Sequence, residues 1–486
     1  MSHRKSVLTR FIIPRRLRII LAAVLGIAAT AWTAPALAAV ELEVGAAAVD
    51  ITPKLDSGEK FYLAGLEKNR VATGVHDSLF ARALVLKAAE RAIALVSVDS
   101  IGLQRPTIEA ARRQLPMLDY VLVASTHTHA APDCIGLWGP TDAESGVSDA
   151  YLDLVVQGIV ESAKTAASAT APARAVYGIA SDQSLLGDFR LPNVFDPVLR
   201  AVRFERLSDG KPCAVLVQWN AHGVEPRKNP LITRDFMGAT VDELERRHGC
   251  TVVYFSGAIG GLMGTPNSTH FIRPEQKPVR DVFHFIELYG HAVADLADKA
   301  LGASAPIELA PIAVSARAIA VPLDNAGYRM ARRIGVLRRP AYAWMESREQ
   351  LGEPLAADVT EGAIALESEV AYLRLGELHI AAIPGELYPE LVYGQFQEPV
   401  DEGADYHDAP LEVPVMRILP GEKTLLFGLA NDELGYIVPK RQWDVKPPFC
   451  YGRSSAQYGE VNSVGPETAR MLTEALADRI RDASSN

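Results

Sequence analysis

Cysteine is scarce in this chain: its 486 residues hold four, Cys134, Cys213, Cys250 and Cys450, separated by 79, 37 and 200 residues. With no CxxC pair among them, a thiolate metal cage is excluded. Their spacing does not set any pairing, and in a chain able to bury a large core disulfides are accessories to stability. Beyond residue 38 no apolar stretch is long enough to span a bilayer, and low-complexity linkers and repeats are missing. Basic blocks are missing from the body as well. Six basic residues (Arg4, Lys5, Arg10, Arg15, Arg16, Arg18) and no acid fall within 1–38, so removing that segment takes the net charge from −10 to −16. An acidic body without a basic footprint excludes DNA or RNA as the partner. At 48% hydrophobic and 22% charged residues the chain is globular, and its length allows either one large α/β domain or several smaller ones.

The N-terminal segment has the layout of a secretory signal: a basic stretch ending at Arg18, an apolar run Ile19–Ala31, then Ala36-Leu37-Ala38 with small residues at the peptidase positions. The run is shorter than the ~20 residues of a comfortable span, which favours a cleaved signal over an anchor. Arg15-Arg16 also admits a twin-arginine reading. The expectation is a signal peptide over 1–38 and an exported body over 39–486, in the periplasm or the medium.

Five short, β-branched apolar runs each end in polar residues. Ala92–Val98 ends at Asp99, Tyr120–Ala124 at Ser125-Thr-His-Thr-His129, and Cys213–Trp219 at Asn220-Ala-His222. Thr251–Phe255 leads into Ser256-Gly-Ala-Ile-Gly-Gly261, and Leu378–Ile383 into Pro384-Gly385-Glu386. These are strand signatures, and between them Asp149–Ala169 and Arg280–Leu301 carry helical periodicity. The predicted class is α/β, with a mixed, largely buried sheet, flanking helices, and the active site at the carboxyl ends of the strands.

His127 and His129 stand two apart at a strand end, where extended chain would send both rings to one side. With His222 and Glu386 they offer imidazoles and a carboxylate, a donor set that suits zinc and leaves a position open for water. No HExxH signature fixes such a site locally. Asp99 is the candidate to hold a ligand imidazole in its tautomer, and also a candidate cap for the strand-end turn.

Ser125-Thr-His-Thr-His-Ala-Ala-Pro132 resembles the signature of the neutral ceramidase family, which hydrolyses the amide of N-acylsphingosines. The resemblance continues in order over about residues 44–460. It runs through Val44–Pro53, Thr73-Gly-Val-His76, Val96-Ser-Val-Asp99, Asn220-Ala-His-Gly223, Ile383-Pro-Gly-Glu386 and Gly428–Tyr436. It implies zinc held by His127, His222, Glu386 and Tyr436, with His129 transferring protons and Tyr458 standing for a second site tyrosine. Two motifs depart from the family. Where its glycine-rich turn carries a serine nucleophile, Gly260-Gly-Leu-Met-Gly264 places Met263, and a thioether cannot attack an amide. Where an arginine stands near the substrate carbonyl, the nearest basic replacement is Arg190. The expectation is a ceramidase-like catalytic domain over 39–486 without the immunoglobulin-like C-terminal extension of ceramidases.

The resemblance therefore implies a hydrolase of a linear amide C–N bond in an N-acylated, sphingolipid-like substrate, with a metal-activated water in place of a protein nucleophile. Tyr436, supplemented by the Gly260-Gly261 amides, would face the developing oxyanion. Alternatives are another N-acyl or ester substrate, or an exported binding protein that kept the fold. Residues 328–344 form a basic, apolar segment that suits a lid, a membrane-surface contact, or a solvated helix packed by one face.

Overall fold

The computed structural model describes residues 41–485 apart from 225–228, 262 and 267–280. The expected signal segment 1–38 lies outside the described residues.

The predicted class is observed. The larger sheet takes strands β1 (Leu42–Asp50), β2 (Phe80–Ala88), β3 (Arg91–Val98), β4 (Tyr120–Ser125), β5 (Ala171–Ser181), β6 (Val198–Arg206), β7 (Pro212–Trp219) and β8 (Thr251–Ser256) in the order β8-β7-β6-β5-β1-β2-β3-β4, with Ala305–Ile307 added beside β5. It is mixed: β3–β4 and β7–β8 are parallel, the other pairings antiparallel. Among the described residues the strand ladders of the two halves are joined by the short pairing of Glu43 and Val44 with Pro172 and Ala171. They meet again at the far edges, where Ser97 Oγ donates to Tyr254 O (2.5 Å) and Ser256 Oγ to Thr126 O (2.8 Å). Those bonds put the loops after β4 and β8 on one rim.

All five strand runs and both helices expected from the sequence form, the helices as Asp149–Ser168 and Val282–Gly302. Ser148 caps the first helix by accepting from Tyr151 N, and Asp281 the second by accepting from Phe283 N. Tyr151, Val155 and Ile159 pack on the outer face of one half of the sheet; Tyr289, Val293 and Ala297 cover the other half.

A second sheet, not anticipated as a separate layer, covers the inner face. Its strands are Ile312–Pro322, Ala341–Trp344, Leu351–Leu355, Ile364–Leu375, Leu378–Ala382 and Thr424–Phe427. Side chains alternate across it as strand geometry requires: Ala371, Leu373, Ile380 and Phe427 face the larger sheet, while Val370, Tyr372, Ala381 and Leu426 face the C-terminal helix Thr468–Ser485. Phe255 and Phe427 stack between the sheets at 4.0 Å. Among the described residues no helix is long and apolar enough to cross a membrane.

The basic segment 328–344 is built into this body. Arg332 is buried and donates to the carbonyls of Arg339, Val359, Leu355 and Ala356; Arg339 is buried and pairs with Asp432. Arg338 binds Asp149, which leaves Arg333 exposed on the helix Ala326–Arg333. Tyr328, Arg332, Leu337 and Arg339 form one wall of the cavity described below.

Candidate metal centre

His127 and His129 do face one site, for a reason other than strand alternation. β4 stops at Ser125, and His127 adopts a left-handed conformation with φ 70°. In a residue that is not glycine this stores roughly 1–3 kcal/mol and needs surrounding structure to hold it. That support is present: Thr126 N donates to Val98 O, His127 N to Ser100 O (2.9 Å), and Thr128 Oγ1 to Thr233 O (2.7 Å). The sharp turn brings the two rings within 4.7 Å of each other, and His127 within 4.8 Å of His222. One ring nitrogen from each of the three histidines lies within 4.8 Å of those of the other two, and all three residues are buried.

Each of two imidazoles has a carbonyl on its Nδ1. His127 Nδ1 is 2.6 Å from Ile101 O, and His222 Nδ1 is 3.1 Å from Met263 O. Burial, with Glu386 pulling the other way, drives His127 down to about 3, so its imidazole is neutral at physiological pH. His129 is held well below its usual range by burial and then by the nearby His222 and Arg70. With Nδ1–H donated to a carbonyl, the Nε2 of a neutral ring carries a lone pair. The Nε2 atoms of both rings face Glu386 Oε2, at 2.9 Å from His222 and 3.6 Å from His127. Two ring nitrogens gathered on one carboxylate oxygen form an arrangement that a shared cation satisfies. Tyr436, paired with Glu386 across a two-residue parallel bridge, bonds the same carboxylate through its hydroxyl. The donors therefore fit zinc, whose ligand atoms, in a tetrahedron of ~2.0–2.1 Å bonds, sit roughly 3.4 Å apart. The two His–Glu386 separations bracket that spacing.

The other expected residues fall in different places. Asp99 accepts from Phe80 N (2.8 Å) and Thr126 Oγ1 (3.2 Å), so the His127 imidazole takes its orientation from the Ile101 carbonyl instead of Asp99. Tyr458 is 49% exposed and lines the cavity, its ring 5.7 Å from that of Tyr436. Arg190 is buried and is not among the residues lining the cavity described below: Nη1 and Nη2 bind Glu460 at 2.9 and 2.7 Å, Nη1 also donates to Tyr458 O and Nη2 to Gln442 O. It anchors the loop that carries Tyr458. Gly260 N is likewise committed, to Leu387 O. Met263 keeps its side chain in the core and supplies only its carbonyl, which accepts from both His222 N and His222 Nδ1. Ile101 O and Met263 O escape sequence reading because backbone carbonyls carry no sequence signal.

His127, His129, Glu386 and Tyr436 open into one cavity with about 800 Å³ of empty space, counting its open part. Ile101, Ile135, Leu137, Trp138, Leu337, Leu366 and Val464 make its wall mostly apolar. Gly435, with φ 79°, lets the chain pass there: a Cβ would sit 1.8 Å from Asn462 O.

Behind Arg190 lies Glu390, whose carboxyl is pushed up to about 7, first by burial, with Asp188 adding to it. The folded state keeps this proton to about pH 7, whereas the unfolded chain loses it near the ordinary 4.5, so stability falls as pH rises through that interval. Glu390→Gln should therefore raise the melting temperature at pH 8 more than at pH 5; thermal melts with equal shifts at both would contradict this.

No protein-family model matches the chain, and a search by sequence matches no curated protein. Solved structures do match. The crystal structure of neutral ceramidase from Pseudomonas aeruginosa aligns with a TM-score of 0.64 over 91% of this chain and 75% of that one. The fold is similar to that of this neutral ceramidase. A second structure, a ceramidase complexed with C2, gives the same TM-score over 91% of this chain and 76% of its own. Identity is only 17% and 16%, so this likeness to ceramidases carries the fold and leaves the chemistry to the residues of the site.

Proposed function

We infer that this protein is an exported, zinc-dependent amidohydrolase of ceramidase type that cleaves the amide of an N-acylated lipid. The observation that carries the reading is the convergence of the His127 and His222 Nε2 atoms on one Glu386 oxygen beside a mostly apolar cavity. His127, His222, Glu386 and Tyr436 would hold the ion. When bound, zinc supplies Lewis acidity toward a carbonyl oxygen and lowers the pKa of water. The chain's own residues do the rest. The Ile101 and Met263 carbonyls fix the ring orientations, and the apolar wall takes the acyl chain and excludes bulk water. Tyr436, whose hydroxyl bonds Glu386, also lines the cavity, where it would face the oxyanion that develops on the substrate carbonyl. His129, beside His127 and His222, moves the proton to the leaving amine. The buried Met263 supports a route without a protein nucleophile.

Hydrolysis of a fluorogenic N-acylsphingosine by residues 39–486, lost on chelation and restored by zinc, is the expected result. Turnover confined to short N-acyl or ester probes would change the substrate and keep the chemistry. A zinc-loaded protein that cleaves none of them would sink the catalytic reading in favour of a binding protein. His129→Ala should lower turnover roughly 10²–10⁴-fold with zinc content unchanged by mass spectrometry. Equal loss of zinc would make His129 a ligand.

A further inference from the structure

Glu433 stands three residues before Tyr436 and lines the same cavity. Its Oε1 accepts from Gly435 N at 2.8 Å, which fixes the side chain, while Oε2 is shut off from water and has no hydrogen-bond partner in the protein. Gly102 makes room for it, since a Cβ there would come within 2.8 Å of Glu433 Cγ. Arg339, on the same wall, does not neutralise it: that guanidinium is taken by Asp432 and by the main-chain carbonyls of Glu433 and Glu367. Burial, and then the nearby Glu386, push the Glu433 carboxyl well above the carboxylate range. The side chain so held presents one unmet oxygen, an acceptor in either protonation state, beside the candidate reaction centre. An N-acylated lipid has no ammonium group to pair with it, and Glu386 repels an anion. The partner that fits is a hydroxyl.

We propose that Glu433 is a specificity-determining residue whose Oε2 hydrogen-bonds a hydroxyl group carried by the substrate. The proposal rests on reading this cavity as the site of an N-acyl substrate, but not on turnover. Its test is calorimetric binding of two probes, N-dodecanoylethanolamine and the deoxy analogue N-dodecanoylethylamine, to metal-free full-length mature protein. The wild type should prefer the hydroxyl probe about tenfold, one good hydrogen bond to a buried partner. Glu433→Ala should abolish the preference by weakening the hydroxyl probe alone, and Glu433→Gln, neutral and nearly isosteric, should keep most of it. An unchanged preference in Glu433→Ala, equal weakening of both probes, or no binding of either probe to the wild type overturns the proposal. Selective binding with no hydrolysis of any N-acyl probe would leave it standing and overturn the catalytic reading instead.

Discussion

Replacing His127 by alanine is expected to release zinc and to lower N-acyl hydrolysis by more than the roughly 10–100-fold that loss of an outer-shell partner costs. The same holds for His222→Ala. Each ring is oriented by a backbone carbonyl on its Nδ1 and turns its Nε2 toward Glu386, so removing either takes away one of the proposed ligands. The diagnostic is linkage: zinc should raise the melting temperature of the wild type and leave that of His127→Ala unmoved, because only a protein that binds the ion folded is stabilised by it. Without metal, His127→Ala should lose little stability, since the imidazole it removes presents a lone pair toward a carboxylate. Zinc-dependent stabilisation and turnover retained in the variant would move the centre elsewhere.

The second large effect concerns Arg190. If it only anchors the Tyr458 loop, Arg190→Ala should cost about 3–5 kcal/mol of stability, because Glu460 is left charged and buried without its partner. Arg190→Met with Glu460→Leu should recover most of that, since removing both members of a buried ion pair is often close to neutral. Denaturant unfolding of the two variants beside the wild type measures this, and kcat per folded molecule should survive in the double variant. An Arg190→Ala protein of normal stability whose kcat alone collapses would restore the arginine to the substrate carbonyl.

These expectations show where the sequence was legible. Strand ends were, because a β-branched apolar run stopping at Asp99, Ser125 or Asn220 records the point where buried backbone reaches a rim. Clustering of His127, His222 and Glu386 followed from that pattern, while the mechanism that turns His127 toward its neighbours, a left-handed residue after the strand, did not. The second sheet was half hidden. Ile364–Leu375 carries Glu367, Glu369 and Arg374, and its apolar pattern is broken by Glu369, which is buried because Arg105 and Arg112 reach it from the helix after β3. Arginine partners were illegible for the same reason: Arg190 and Glu460 lie 270 positions apart, and which acid a guanidinium finds depends on the finished fold. The partners of the basic residues in 328–344 were hidden in the same way, since Arg332 and Arg339 point inward to carbonyls and an aspartate.

The account turns on a zinc ion held between His127, His222 and Glu386. Crystals of the mature protein grown with zinc and measured on either side of the zinc absorption edge test it most directly. The account predicts one anomalous peak in contact with the Nε2 atoms of both histidines and with the Glu386 carboxylate. A zinc-soaked crystal with no peak there, or with the ion bound by His129 in place of Glu386, would contradict it.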